Sequence, residues 1–365
     1  MTQALNEQTI EAHLMTFMDD NLNKDVVSAG VLKKVEVSEN QIHLMLTYPY
    51  PMLSQQEAIE ANLLDHMKKQ FPDAQCSVDI SVLISAHQTA GGVKPLPQVK
   101  NIIAVASGKG GVGKSTVAVN LALALSQEGA TVGILDADIY GPSQPIMLGL
   151  TGSQPETVDK KSIEPVENHG IQSMSIGYLI DESQATIWRG PMASGALQQL
   201  LNDTRWRDLD YLIVDLPPGT GDIQLTLAQK IPVTAAVIVT TPQNVAFADA
   251  KKAVAMFDKV NVPVLGVIEN MAMHICSNCG HEEAIFGESD GHRYQETFDA
   301  PQLGSLPLDR TIREDCDQGK PTVVANPDHI AAQRYRELAT KIGAKLAGMD
   351  RNFGAQFPTI SILND

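Results

Sequence analysis

The sequence predicts a doubly wound α/β domain with a mostly parallel sheet, preceded by a small α+β domain. Three observations predict it. Short, nearly continuous apolar runs rich in β-branched residues fall at 102–106, 131–135, 211–214, 235–240 and 264–268, as strands do when a parallel sheet is covered on both faces. Helical spacing fills the gaps, at 114–127, 192–201, 222–230 and 246–260, and such βα alternation marks this class. A glycine-rich loop joins the first strand directly to the first helix.

In chain order, residues 1–86 read as the small unit. Ile10, Leu14, Phe17 and Met18 have helical spacing over 9–18. Residues 31–37 and 41–48 alternate like strands, with Ile42, Leu44 and Leu46 on one face. A helix is predicted over 54–69, with Ala58, Ala61, Leu64 and Met67 facing inward, and a strand over 76–84. Residues 87–100 hold Gly91, Gly92, Pro95 and Pro97 and read as a linker. The larger domain is expected over 101–348. It closes on a helix at 328–347 whose buried stripe is Ala331, Tyr335, Leu338 and Ile342, with Gly348 as the stop. Residues 349–365 form a tail.

Composition narrows the function. The 365 residues carry 27 Lys and Arg against 43 Asp and Glu, a formal charge of −16. A surface of that sign argues against general binding to nucleic acid or anionic membranes. The first 20 residues carry acids where a signal peptide carries bases, and no apolar run approaches the ~20 residues of a membrane span. Only four cysteines are present, Cys76, Cys276, Cys279 and Cys316, too few for a disulfide scaffold and in keeping with a reducing compartment. A cytoplasmic location is expected.

The strongest motif is Gly108-Lys109-Gly110-Gly111-Val112-Gly113-Lys114-Ser115. It matches GxxxxGK[ST] in the strand–loop–helix context that gives the motif meaning. Glycines let the backbone curl with its N–H groups inward, and the helix N-terminus adds partial positive charge for a phosphate chain. Lys114 is expected at the β- and γ-phosphates and Ser115 on Mg²⁺. Asp136 and Asp138 follow one strand and Asp215 ends another. In an open α/β sheet these strand ends open on one crevice with the loop.

Lys109 departs from an ordinary phosphate loop. With Thr116, the run GKGGVGKST resembles the deviant Walker A motif of the MinD/ParA/nitrogenase-iron-protein class of ATPases. That resemblance implies a homodimer closing on ATP, with Lys109 reaching the partner's nucleotide. Within the class, the chain is similar to the Mrp/ApbC iron–sulfur cluster carriers in four stretches: 136–143 (DADIYGPS), 189–192 (RGPM), 215–222 (DLPPGTGD) and 269–271 (ENM). The resemblance implies that Asp138 orients or helps activate the attacking water, Asp215 supports Mg²⁺ through water, and Thr116 contacts the α-phosphate. It further implies that Asn270 recognises adenine, with Pro307, Leu308 and Asp309 forming the far wall of the base pocket.

Cys276-Ser277-Asn278-Cys279 is a CxxC placed six residues beyond Asn270, the spacing that soft metals and clusters use. Four readings compete: two inert thiols, a redox pair, a zinc site completed by His274 or His281, and a site completed by a second chain. The count favours the last. A cluster wants four thiolates, one chain offers two here, and Cys76 and Cys316 lie outside any motif. In the resembling family the pair bridges a [4Fe–4S] cluster between subunits, which the carrier passes to apoproteins, with scaffold proteins as further partners. Two alternatives remain at this stage. One is a MinD/ParA-like positioning ATPase, for which tail and charge are unsuited; the other is an ATPase with purely structural zinc. Residues 1–86 resemble the small iron–sulfur-assembly domain that often precedes this ATPase. Tyr48-Pro49-Tyr50-Pro51-Met52 stands where that domain commonly carries a cysteine, so a docking or structural role is expected.

Overall fold

The computed structural model describes residues 5–159, 161–180, 190–276, 278–288 and 291–352. The smaller domain opens with α1 (Glu7–Leu14), which Asn6 starts through a capping box with Thr9. α1 ends before Phe17 and Met18, so the helical spacing of the sequence outruns the helix. β1 (Leu32–Ser38) pairs antiparallel with β2 (Gln41–Tyr48), and β3 (Gln75–Val82) runs parallel to β2. Ile42, Leu44, Leu46 and Tyr48 alternate inward from β2. α2 (Gln56–Gln70) buries Leu63 and Met67, while Ala58 and Ala61 stay exposed. The inward stripe is rotated from the expected one because larger side chains at 59, 63 and 67 bury more apolar area than alanines can.

The larger domain starts with β4 (Val99–Ala106), followed by α3 (Lys114–Gln127) and β5 (Val132–Asp136). Then come β6 (Ile171–Ser175), α4 (Gly190–Asp203), β7 (Leu209–Asp215) and α5 (Asp222–Lys230). β8 (Ala235–Thr240), α6 (Asn244–Lys259), β9 (Val264–Ile275), β10 (Gln302–Pro307) and α7 (Ile330–Ala347) complete it. These strands lie parallel in the order β6-β5-β7-β4-β8-β9-β10. Val166–Asn168 adds antiparallel to β6, and Glu282–Glu283 pairs antiparallel with the end of β9. One face is packed by α3 and α7, with Val117, Leu121, Tyr335 and Ile342 in a single apolar cluster. The other is packed by α4 and α6 through Leu197, Leu201, Val254 and Phe257. Burial on both faces is why the inner strands read as unbroken apolar runs.

The two domains are in contact. Ala344 of α7 joins the apolar core of the smaller domain, and Ile84 joins a core of the larger one. The Ser54 amide donates to Glu128 Oε2 at 2.9 Å, at the C-terminal end of α3. Residues 87–100 run along the larger domain: His87 is buried with Nδ1 2.9 Å from Asn101 Oδ1, and Val99 pairs with Leu209.

Candidate functional site

β5, β7 and β4 are neighbours, with Asp136 and Asp215 in register at the ends of their strands. The glycine loop follows β4 and delivers α3. Two glycines are required by close approach. Gly113 has φ +81°, a region that favours glycine, and a Cβ there would collide with the Asn270 amide; one on Gly108 would collide with the Asp249 backbone in α6. Gly110 and Gly111 complete the turn, and the Val112 side chain is buried beneath it.

Lys114 is 6% exposed and pairs with Asp215, which is fully buried. Its ammonium also donates to Ser115 Oγ at 3.1 Å. Two buried charges stay charged only when mutually compensated and hydrogen-bonded, and here the second Asp215 oxygen accepts from Gln144 Nε2 at 2.9 Å. Asp136 is held equally tightly. Oδ2 accepts from the amides of Ser143 (3.0 Å) and Gln144 (3.1 Å) and from Ser175 Oγ (3.1 Å), and Oδ1 accepts from the Asp138 amide (3.2 Å). Burial, then the charge of Asp215, pushes its carboxyl up to about 7, against the pull of the amides that donate to it. Burial also raises the carboxyl of Asp138, with Lys114 pulling it back. The structure therefore gathers Lys114, Ser115, Asp136, Asp138 and Asp215 around one crevice. Sequence reasoning missed Gln144 and Ser175, because buried amides and hydroxyls carry no motif.

Ser115 Oγ and the Asp215 carboxylate, both held by the Lys114 ammonium, form an oxygen-only donor set. That set fits a small hard cation such as Mg²⁺, which keeps most of its waters and borrows few protein oxygens. Lys109 is half-buried on the loop, and among the described residues its ammonium has no hydrogen-bond or ion-pair partner. Thr116 follows Ser115 in the first turn of α3.

Asn270 lies at an irregularity in β9. The register against β10 shifts between Glu269 and Met273, and Met271 has φ +57°. Bulges re-aim side chains beside active sites. Here the Asn270 amide nitrogen donates to the Val112 carbonyl at 2.8 Å, so the residue braces the phosphate loop with one N–H and keeps its second N–H and its amide oxygen for a base. Pro307 pairs with Met273, and the Leu308 amide donates to the Met273 carbonyl at 2.7 Å. Asp309 caps the helix Arg310–Asp317 by accepting from the Thr311 amide at 2.7 Å. It also lies 3.5 Å from His329 Nε2.

β9 runs on from Asn270 to the cysteines. Its end folds into a hairpin in which the Cys276 amide donates to the His281 carbonyl and the Gly280 amide to the Cys276 carbonyl, both at 2.9 Å. The amides of Asn278 and Cys279 hydrogen-bond the Cys276 sulfur and lower its thiol pKa, the Asn278 amide most. Amides aimed at a sulfur favour thiolate, the metal-binding form. Cys279 is exposed. The His274 ring nitrogen Nδ1 is 3.2 Å from the Leu308 carbonyl. Among the described residues, no group of three or more His, Cys, Asp or Glu gathers to hold a metal, so the alternative of a one-chain zinc set with His274 or His281 is not assembled. Burial holds the Cys76 and Cys316 thiols up at about 11, and both pack against apolar clusters. Arg189, Ser277 and the tail residues 353–365 lie outside the described residues.

The strand–loop–helix, its lysine and serine, and the carboxylate ending the neighbouring strand define a P-loop NTPase. Residues 98–343 match the family described as NUBPL iron-transfer P-loop NTPase, and residues 7–80 match that described as iron–sulfur cluster assembly protein. The iron–sulfur cluster carrier protein of Haemophilus influenzae is 48% identical over 340 residues, covering 93% of this chain and 92% of its own. The chain belongs to this family of iron–sulfur cluster carriers. A nucleotide-binding protein from Archaeoglobus fulgidus, solved in complex with ADP, is 36% identical with a TM-score of 0.57, over 65% of this chain and 93% of that one. The Pyrococcus furiosus cell division ATPase MinD, at 22% identity and a TM-score of 0.50 over 66% of this chain and 98% of its own, shares the fold.

Proposed function

We propose that this carrier works as an ATP-hydrolysing homodimer that holds a [4Fe–4S] cluster between the Cys276–Cys279 pairs of two chains and hands it to apoproteins. The cluster is cargo, received from scaffold proteins. The observation that carries this reading is the half-complete site at the end of β9. Two thiols are presented on a hairpin, one already biased toward thiolate, with no third ligand beside them among the described residues. Four thiolates are the usual set for a cluster, and a second copy supplies the missing two. The same strand braces the phosphate loop through Asn270, so nucleotide state and cysteine geometry share one covalent element.

At the nucleotide, the loop amides and Lys114 bind phosphates, and Ser115 with Asp215, through water, holds Mg²⁺. The metal supplies charge neutralisation of the phosphates. Thr116 contacts the α-phosphate, and Asn270 offers its amide oxygen to the adenine amino group, with Pro307 and Asp309 walling the base. Asp138, its carboxyl raised by burial, orients the attacking water and takes up its proton. Lys109 stabilises charge on the partner's transferring phosphoryl group. Residues 1–86 serve as a docking module and 87–100 as its tether to the ATPase domain, residues 101–348. The −16 charge supports a cytoplasmic role without nucleic acid or membrane surface, and among the described residues no helix is long and apolar enough to cross a membrane.

Anaerobic reconstitution of the full chain with iron and sulfide tests the reading. We expect four irons and four sulfides per dimer with a Mössbauer signature of [4Fe–4S], and none in Cys276→Ala/Cys279→Ala. Stoichiometric zinc without cluster, or an undiminished cluster in the double variant, overturns it.

A further inference from the structure

Gln144 opens a four-residue helix, Gln144–Met147, directly after the loop that carries Asp138. Its main-chain amide and those of Ser143 and Asp138 all donate to Asp136, so both ends of that loop are tied to one carboxylate. The Gln144 side chain is 1% exposed and crosses the crevice. Nε2 donates to Asp215 Oδ2 at 2.9 Å and to the Ser115 carbonyl at 3.2 Å. Oε1 is buried and has no hydrogen-bond partner.

A buried acceptor without a donor is costly and uncommon, and it calls for a donor from outside the chain. The parts of a bound Mg²⁺-nucleotide differ in what they can offer. Phosphate oxygens only accept and would repel Oε1. The adenine amino group belongs at Asn270, on β9. A water held on the cation is a strong donor with its hydrogens turned away from the metal. It belongs beside Ser115 and Asp215, the residues that Nε2 of the same amide grips.

We propose that Gln144 is a positioning residue for nucleotide-bound Mg²⁺. Nε2 keeps the Asp215 carboxylate in place when Lys114 leaves it for the phosphates, and Oε1 accepts a hydrogen bond from a metal-bound water. The loop carrying Asp138 is thereby latched to the metal. This rests on the assignment of Ser115 and Asp215 to Mg²⁺.

Calorimetric titration with ADP, in saturating MgCl₂ and in EDTA, separates the two. In the wild type, MgCl₂ tightens ADP binding. In Gln144→Met, of similar volume but without hydrogen-bonding groups, about tenfold of that gain is lost, while affinity in EDTA stays within about twofold. Full retention of the Mg²⁺-linked gain in Gln144→Met overturns the role of Gln144, as does an equal loss with and without MgCl₂, which marks a purely structural role. A wild type indifferent to MgCl₂ overturns the Mg²⁺ assignment itself. Gln144→Glu gives a second readout independent of nucleotide. It keeps the acceptor and sets a third carboxylate near Asp215 and Asp136, so MgCl₂ alone raises its Tm more than that of the wild type. An unchanged response to MgCl₂ counts against the proposal.

Discussion

The phosphate loop and the cysteine hairpin stand at two points of one strand and are built on opposite terms. Around Lys114 the side chains are buried, and both oxygens of Asp215 and of Asp136 are already engaged within the chain. At Cys276 and Cys279 the groups are half-buried or exposed, and the protein supplies amides but no further ligand side chain among the described residues. The difference teaches where a second molecule is needed. Chemistry that one chain completes can be buried, because its charges are compensated in place. Chemistry that a partner completes must stay at the surface. Lys109 is the member of the loop that falls on the cysteines' side of this division, since its ammonium has no partner among the described residues.

That division can be broken most sharply at Lys109. Lys109→Ala is expected to bind ATP normally and lose about 10³-fold in turnover, the scale of other cationic fingers. Mixing it with Asp138→Asn should restore activity to a chain that neither variant supports alone, because each mixed dimer holds one intact site with a lysine from the other subunit. Steady-state turnover of the mixture equal to the mean of the two variants places Lys109 within its own subunit instead.

A second effect concerns the buried pair. Lys114→Met leaves the buried Asp215 carboxyl with Gln144 as its remaining side-chain partner, at a cost of about 3–5 kcal/mol in stability. Adding Asp215→Asn should recover part of that loss. Urea unfolding of the two single variants and the double variant checks it; strictly additive effects would show that the pair carries no mutual compensation.

The smallest expected effect sharpens the cysteine side. In the metal-free protein at neutral pH, iodoacetamide should modify Cys276 first, because the Asn278 and Cys279 amides favour its thiolate. Cys76 and Cys316, with thiols near 11, should stay unmodified, with only ~10⁻⁴ of each as thiolate. Peptide mass mapping at early times reads the order, and equal labelling of all four would remove the electrostatic argument at the hairpin.

The sequence was most legible where one structural demand acted alone. The inner strands β4, β7 and β8 are buried on both faces, so hydrophobicity by itself marked them. α3, α5 and the phosphate loop were legible to the residue, because the glycine spacing and the helix start are local matters. β6 and β10 stayed hidden. Gln172, Ser173 and Ser175 of β6 are buried yet polar, and each has a partner: Gln172 brackets the Arg207 backbone, Ser173 bonds the Val166 carbonyl, and Ser175 bonds Asp136. A strand whose core side is satisfied by hydrogen bonds looks like a loop to any hydrophobic pattern.

By itself, then, the sequence determined the fold class, the phosphate loop, the acids at the strand ends and the presence of a lone CxxC. All of these depend on spacing along the chain. Only the tertiary structure decided which acid meets Lys114, that Asn270 donates an amide N–H to the Val112 carbonyl, that Gln144 bridges Asp215 and Ser115, and that no third metal ligand joins the cysteines among the described residues. Those facts are distances between segments far apart in sequence. Side-chain hydrogen bonds are short-ranged and directional, so they exist only after the sheet order has brought the strand ends together.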